Sequence, residues 1–248
     1  VSLLQVPTRA PQVLASRVVL VSGAHGGLGE ASARACAQAG ATVVLLGRKP
    51  AKLNRVYDAC AQLGPEPLLY PLDLEGAAPD DYAELAQRVG AQLGRLDGVL
   101  HCAAEFRGLT PLEHTDPAAF ARALHVNLTA AWWLSQACLP LLKAAGDGAL
   151  VFALDDLRRV GQPYWGGYGV AQHGLQALVH MLHAELASTS VRVSALQPGP
   201  MRTTLRARAY AEDSDPSLAD ATDYAAHCVT LLSPAGAGRR GQVWSPSA

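Results

Sequence analysis

"SGAHGGLGE", residues 22–30, follows the apolar run "RVVLVSG" (17–23) and opens the helical pattern "LGEASARACAQAG" (28–40). That placement decides the fold class. A glycine-rich turn between a strand and a helix is where backbone amides and the helix dipole can meet a phosphate. Gly23 permits the tight turn, Gly27 leaves room for the phosphate, and Gly29 lets strand and helix pack closely. Ser22, His25 and Leu28 of the same turn are further candidate cofactor contacts, with packing as the competing reading for His25.

Outward from this turn, short apolar runs alternate with longer helical patterns. Next come "ATVVLLG" (41–47), "AKLNRVYDACAQLG" (51–64), "PLLYPLD" (67–73), "PDDYAELAQRVGAQLG" (79–94) and "LDGVLHC" (96–102). A long helix is expected over 117–143, a strand at 148–154, a helix over 168–187 and a strand at 191–197. A helix near 220–232 and a short strand at 241–244 close the pattern. Strands that are apolar throughout suit a parallel sheet covered on both faces, and right-handed crossovers wind such a sheet doubly. The expectation is an α/β, Rossmann-like doubly wound parallel sheet of about seven strands, with residues 1–248 forming a single nucleotide-binding domain. The polar stretch "AYAEDSDPSLAD" (209–220) reads as a mobile surface flap and not as a domain boundary.

Composition narrows the partner. Only 17% of residues are charged and the net charge is -1, so no broad pull toward nucleic acid or membrane is expected, and a small-molecule partner is. No run approaches the roughly 18 apolar residues of a membrane span. The opening "VSLLQVPTRAPQVLASR" carries prolines and arginines where a secretory signal needs an unbroken apolar segment. Cys36, Cys60, Cys102, Cys138 and Cys228 form no CxxC pair and share no zinc-type spacing with histidine. Reduced thiols, a cytoplasmic location and no metal are the expectation.

An NAD site keeps an Asp or Glu about 20 residues beyond the glycine turn, for the adenosine ribose hydroxyls. Between Ala31 and Tyr57 this chain has no acidic residue, whereas Arg48 and Lys49 follow "VVLLG" directly and Arg55 comes a turn or two later. Arg48 can meet a phosphate through two parallel hydrogen bonds, so NADP is expected over NAD. The competing reading is a solvated basic helix start.

With these motifs in order, the chain resembles the short-chain dehydrogenases/reductases over nearly its full length. Ser22, Gly23, Gly27 and Gly29 match the family's TGxxxGxG pattern. Asp73 in "PLDLE" (71–75), with Leu74 beside it, matches an acid used near the adenine ring. Asn127 in "HVNLTAA" (125–131) matches an asparagine of the long fourth helix, which implies a bent backbone and a proton-relay water. Pro198, Gly199 and Thr203 in "QPGPMRT" (197–203) match a segment near the nicotinamide amide and phosphates. The family's NAG motif reads "CAA" here, putting Cys102, Ala103 and Ala104 at the cofactor cleft. Family subunit contacts through the two long helices imply a homodimer or homotetramer, although Trp132 and Trp133 could equally be core.

The resemblance also implies a catalytic Ser, Tyr and Lys, and at that point the chain departs from the family. Tyr168 takes the tyrosine position, but the serine position is Asp155 in "FALDDLR" (152–158) and the lysine position is Gln172 in "YGVAQHG" (168–174). The last lysine is Lys143, so no shift of alignment restores it. An unperturbed tyrosine, with a pKa near 10, leaves about one molecule in a thousand as phenolate at pH 7. Alcohol oxidation, which needs that base, should suffer more than carbonyl reduction, in which neutral Tyr168 donates a proton. A charged Asp155 would raise the phenol pKa, and a protonated one could donate as the serine does. Gln172 keeps groups able to meet ribose hydroxyls.

Two readings stay open. One is an NADP-dependent oxidoreductase acting on a carbonyl compound or alcohol, with Tyr168, Asp155, Gln172 and Asn127 as its catalytic set. The other is a non-catalytic nucleotide sensor or interaction protein on the same body. His101 either lines the cleft or packs, and His173 reads as a packing or interface residue. Arg202, Arg206 and Arg208 either meet an anionic substrate or form a solvated helix face.

Overall fold

The computed structural model describes residues 12–210 and 215–246. The reading of the opening segment rests largely on residues 1–11, and part of the expected flap on residues 211–214, which lie outside that range.

Seven parallel strands pair in the order β3-β2-β1-β4-β5-β6-β7. They are β1 (Val18–Ser22), β2 (Thr42–Gly47), β3 (Leu68–Pro71), β4 (Gly98–His101), β5 (Ala149–Ala153), β6 (Arg192–Leu196) and β7 (Val243–Trp244). Successive strand side chains leave opposite faces, and both faces are covered. Leu20, Val44, Val99, Phe152 and Val193 pack on one side against α3 (Pro79–Leu93), α5 (Ala130–Ala144) and α7 (Gly166–Glu185). Val19, Val21, Val43, Leu100 and Val151 pack on the other against α1 (Gly27–Gln38), α2 (Pro50–Ala61) and α9 (Ala221–Leu232). A strand buried on both faces has no polar side to alternate with, hence its unbroken apolar run. The order reverses at β1, which lies between β2 and β4, so the crevice for a ligand opens beyond their carboxyl ends.

The helix expected over 117–143 is three pieces: α4 (Pro117–Leu124), a π-turn (His125–Thr129) and α5. Asp116 starts it by accepting from the Ala119 amide at 2.9 Å. Asn127 sits in the π-turn, where the bend was expected. Its Oδ1 accepts from the Glu105 amide, and its Nδ2 donates to the carbonyls of Glu105 and Ala123, each at 2.8 Å. The long helix is thereby tied to the loop after β4.

Periodicity misses one short element. Asp156 caps α6 (Leu157–Val160), accepting from the Arg158 amide at 3.0 Å and the Arg159 amide at 3.4 Å. A four-residue turn is too short to show a helical period. After it, α7 begins two residues before the expected start, and β7 spans two residues where four were expected. The region after β6 holds α8 (Arg206–Ala209) and a parallel bridge between Met201 and Ala219.

The two tryptophans part company: Trp132 is 44% exposed, whereas Trp133 packs edge-on to Tyr82 at 6.0 Å. Among the described residues, no helix is long and apolar enough to cross a membrane. All five cysteines are unpaired.

Candidate active site

The glycine turn is built for close approach. Gly23 has φ +67°, and a Cβ there would lie 2.7 Å from the Ala103 backbone. At Gly29 a Cβ would lie 2.3 Å from the Gly23 carbonyl oxygen, so only glycine lets α1 start against the end of β1. Ser22 secures the neighbouring turn by accepting from the amides of Cys102 at 3.2 Å and Ala103 at 3.3 Å.

A cavity of about 330 Å³ opens over this turn, a size at the lower end of small-ligand sites. It brings together Gly23, His25, Gly27, Leu28, Arg48, Asp73, Leu74, Cys102, Ala103, Ala104, Asp155, Tyr168, Gln172, Pro198, Gly199 and Thr203. Among the residues the family motifs single out, Ser22, Gly29 and Asn127 do not line it. Ser22 and Gly29 lie beneath the turn as supports. Asn127 is 2% exposed with its amide engaged by Glu105 and Ala123, so its side chain braces the loop and does not face the cavity.

One end of the cavity is basic. Arg48, Lys49 and Lys52 line it beside His25, and Lys52 takes the place expected for Arg55, which is exposed and outside the lining. Burial and then the charges of Lys52, Arg48 and Lys49 hold the His25 imidazole below its usual pKa. Among the described residues its buried Nδ1 has no hydrogen-bond partner. Exposed cations gathered around a glycine-lined cradle suit a dinucleotide that carries an extra phosphate.

The opposite end holds the chemistry. Tyr168, 4% exposed, donates its hydroxyl to Asp155 Oδ2 at 2.9 Å. Asp155 Oδ1 accepts from the Asp156 amide at 2.7 Å and forms an ion pair with Arg159, one helical turn on. Gln172, 3% exposed, accepts the Asp155 amide on its Oε1 at 2.9 Å. Burial, then the Asp155 charge and hydrogen bond, push the Tyr168 phenol well above its ordinary pKa, with Arg159 opposing weakly. The Asp156 amide, Arg159 and the Tyr168 hydroxyl each donate to the Asp155 carboxylate.

Arg159 is the site residue that the motif comparison passes over. Its signal was the four-residue spacing from Asp155, legible only once α6 is known to be helical. Phe106 and Trp165 flank Tyr168, with ring centroids 5.2 and 6.0 Å from it, and Tyr210 stands 6.4 Å from Trp165. Arg206 and Arg208 line this end, whereas exposed Arg202 does not.

His101 packs: it stacks on Phe152 at 4.5 Å and lies 3.0 Å from Ser135 Oγ. Burial lowers its pKa to about 3, which keeps it neutral. His173 is exposed, its Nδ1 2.9 Å from the Gly169 carbonyl oxygen. Burial raises the Cys102 thiol well above its usual value, so it is no ready nucleophile. No group of three or more His, Cys, Asp or Glu with metal-binding geometry occurs among the described residues.

Known proteins share this fold. The chain is 40% identical, at a TM-score of 0.90, to a putative short chain dehydrogenase structure from Pseudomonas syringae, covering 96% of this chain and 97% of that one. A Shigella flexneri structure named as a short chain dehydrogenase complexed with NADP is 31% identical at a TM-score of 0.90, covering 94% and 98%. The Escherichia coli (strain K12) oxidoreductase YciK is 34% identical over 212 residues, 85% of this chain and 84% of that protein. The short chain dehydrogenase profile itself matches residues 17–214, and with the glycine turn, the sheet order and Tyr168 in place the chain belongs to that family.

Proposed function

We propose that the chain is a single NADP-dependent oxidoreductase domain that reduces a small carbonyl compound to an alcohol, with Tyr168 delivering the proton. The observation that carries this reading is one cavity lined by the glycine turn and Arg48 at one end and by Tyr168 at the other. NADPH, when bound, supplies the hydride. Arg48, Lys49 and Lys52 hold its additional phosphate, Gly23, Gly27 and Leu28 meet the pyrophosphate, and Asp73 and Leu74 border the adenine. Cys102, Ala103, Ala104, Gln172, Pro198, Gly199 and Thr203 border the nicotinamide half. The Shigella relative's NADP supports the choice of coenzyme. Arg206 and Arg208, beside Trp165 and Tyr210, favour a substrate with an acidic group on an apolar body. We also read the protein as a cytoplasmic homo-oligomer, from its unpaired thiols and from the exposed Trp132 and Met181 on α5 and α7.

A nucleotide sensor without turnover is the second reading, favoured because among the described residues no cation touches Tyr168 directly: Arg159 reaches Asp155 instead. The test titrates NADPH and NADH by fluorescence and then follows NADPH consumption across a panel of carbonyl compounds. Turnover abolished by Tyr168→Phe with NADPH binding retained is the expected result. Tight NADPH binding without turnover, and activity gained only in Asp155→Ser/Gln172→Lys, would establish the sensor.

A further inference from the structure

The polarity of the hydrogen bonds around Asp155 carries a consequence for proton flow. The Tyr168 proton points at Asp155 Oδ2, 2.9 Å away, and not into the cavity that both residues line. A phenol oxygen that donates there still has lone pairs with which to accept from a ligand hydroxyl. The carboxylate is held on three sides: Arg159 and the Asp156 amide engage Oδ1, and Gln172 anchors the Asp155 backbone. Its side chain is 11% exposed. Among the described residues no cation hydrogen-bonds to the Tyr168 hydroxyl, and Arg159 reaches it through Asp155.

We propose that Asp155 is the terminal proton acceptor and donor of the reaction, and that Tyr168 is a relay between Asp155 and the substrate oxygen. The proposal rests on the reading of Tyr168 given above. In the oxidising direction the alcohol O–H proton passes to Tyr168 Oη while the tyrosine's own proton passes to Asp155 Oδ2. With an oxidised nicotinamide coenzyme bound, the carbinol hydrogen would leave with its electron pair as hydride while the C–O bond becomes C=O. In the reducing direction protonated Asp155 returns its proton through Tyr168 to the oxygen whose carbon has accepted hydride. The phenol is neutral before and after, so the burial that disfavours phenolate does not oppose the step. Arg159 and Gln172 are positioning residues for the carboxylate.

The charged and titratable groups around this pair are Arg159 and Asp156 near α6, Tyr210, Arg206 and Arg208 on or beside α8, and Glu105 after β4, which pairs with Arg107 at 2.8 Å. Among the described residues, the hydrogen-bond partner of the Tyr168 hydroxyl is Asp155.

Two measurements test the relay. The first needs no turnover: phenol ionisation is followed by ultraviolet absorbance, with Tyr168 isolated by subtracting Tyr168→Phe, in the wild-type protein and in Asp155→Asn. The expected result is ionisation of Tyr168 at lower pH in Asp155→Asn; an unchanged titration overturns the coupling even if the protein turns over no substrate. The second uses any substrate found by the carbonyl screen. Asp155→Asn should slow both directions by about 100-fold or more, with NADPH affinity retained and activity partly recovered in Asp155→Glu. Rates in mixed light and heavy water should follow a curved, two-proton dependence. A linear dependence, or an Asp155→Asn protein with the wild-type pH profile, refutes the relay while leaving the reductase reading intact.

Discussion

Replacing Arg48 with serine isolates the phosphate that distinguishes NADPH from NADH. The side chain stands exposed at the end of β2 and lines the basic end of the cavity beside Lys49 and Lys52. Two unit charges about 4 Å apart interact by roughly 4 kcal/mol at an effective dielectric of 20 and by roughly 1 kcal/mol in water. An exposed guanidinium falls between these limits, near the range of about 1.5–3 kcal/mol for a hydrogen bond to a charged group. A loss of about 2 kcal/mol corresponds to a roughly 30-fold weaker NADPH complex. NADH, which lacks the phosphate, should change by less than about 2-fold, since no other contact has been removed. Coenzyme fluorescence titrated against each variant reads both affinities, and added salt should weaken wild-type NADPH binding more than NADH binding. Equal losses for the two coenzymes, or a wild-type preference for NADH, would refute the assignment of Arg48 to the phosphate.

Two stability predictions follow from contacts away from the coenzyme charge. Gly29→Ala puts a methyl 2.3 Å from the Gly23 carbonyl oxygen, so α1 must move off β1. Overpacking of this kind costs about 1–3 kcal/mol, which in a chain of this size lowers Tm by roughly 2–12 °C; a Tm within a degree of wild type would show that the turn yields freely. At Asp147, burial pushes the carboxyl up, but Arg192 and Arg17, at 2.8 and 3.0 Å, outweigh it and hold the pKa below its usual value. A lowered folded pKa adds stability that is complete above the unfolded value of about 3.9 and is lost as pH falls through the folded one. The Tm advantage of wild type over Asp147→Asn should therefore be constant at neutral pH and shrink below about pH 4; an advantage that grows in acid contradicts the pairing.

The core of the fold is legible because burial on both faces writes itself into β1, β2 and β5 as unbroken apolar runs. Boundaries fail where the deciding contact is distant: among the described residues β7 lies at the sheet edge and pairs β6 over two residues, which sets its length. The coenzyme end is equally legible, since glycines at fixed offsets and a basic strand end carry their reason locally. Lys52 was passed over for Arg55 because which face of α2 meets the cavity is set by packing, not by the count from Gly47. The reacting end was half legible. Tyr168, Asp155 and Gln172 are found by spacing, but their mutual hydrogen bonds and the entry of Arg159 depend on α6, a single turn below the reach of any periodicity. For Asn127, position predicts the bend, while the structure assigns its amide to Glu105.

The π-turn at His125–Thr129 constrains what this chain can lose. The wide turn absorbs one extra residue, so deleting a residue there would regularise the coil while leaving Ala130–Ala144 in phase, with Leu134, Cys138 and Leu142 still facing the core. What the deletion would forfeit is the placement of the Asn127 amide, and with it the seam between this helix and the strand-end loop at Glu105.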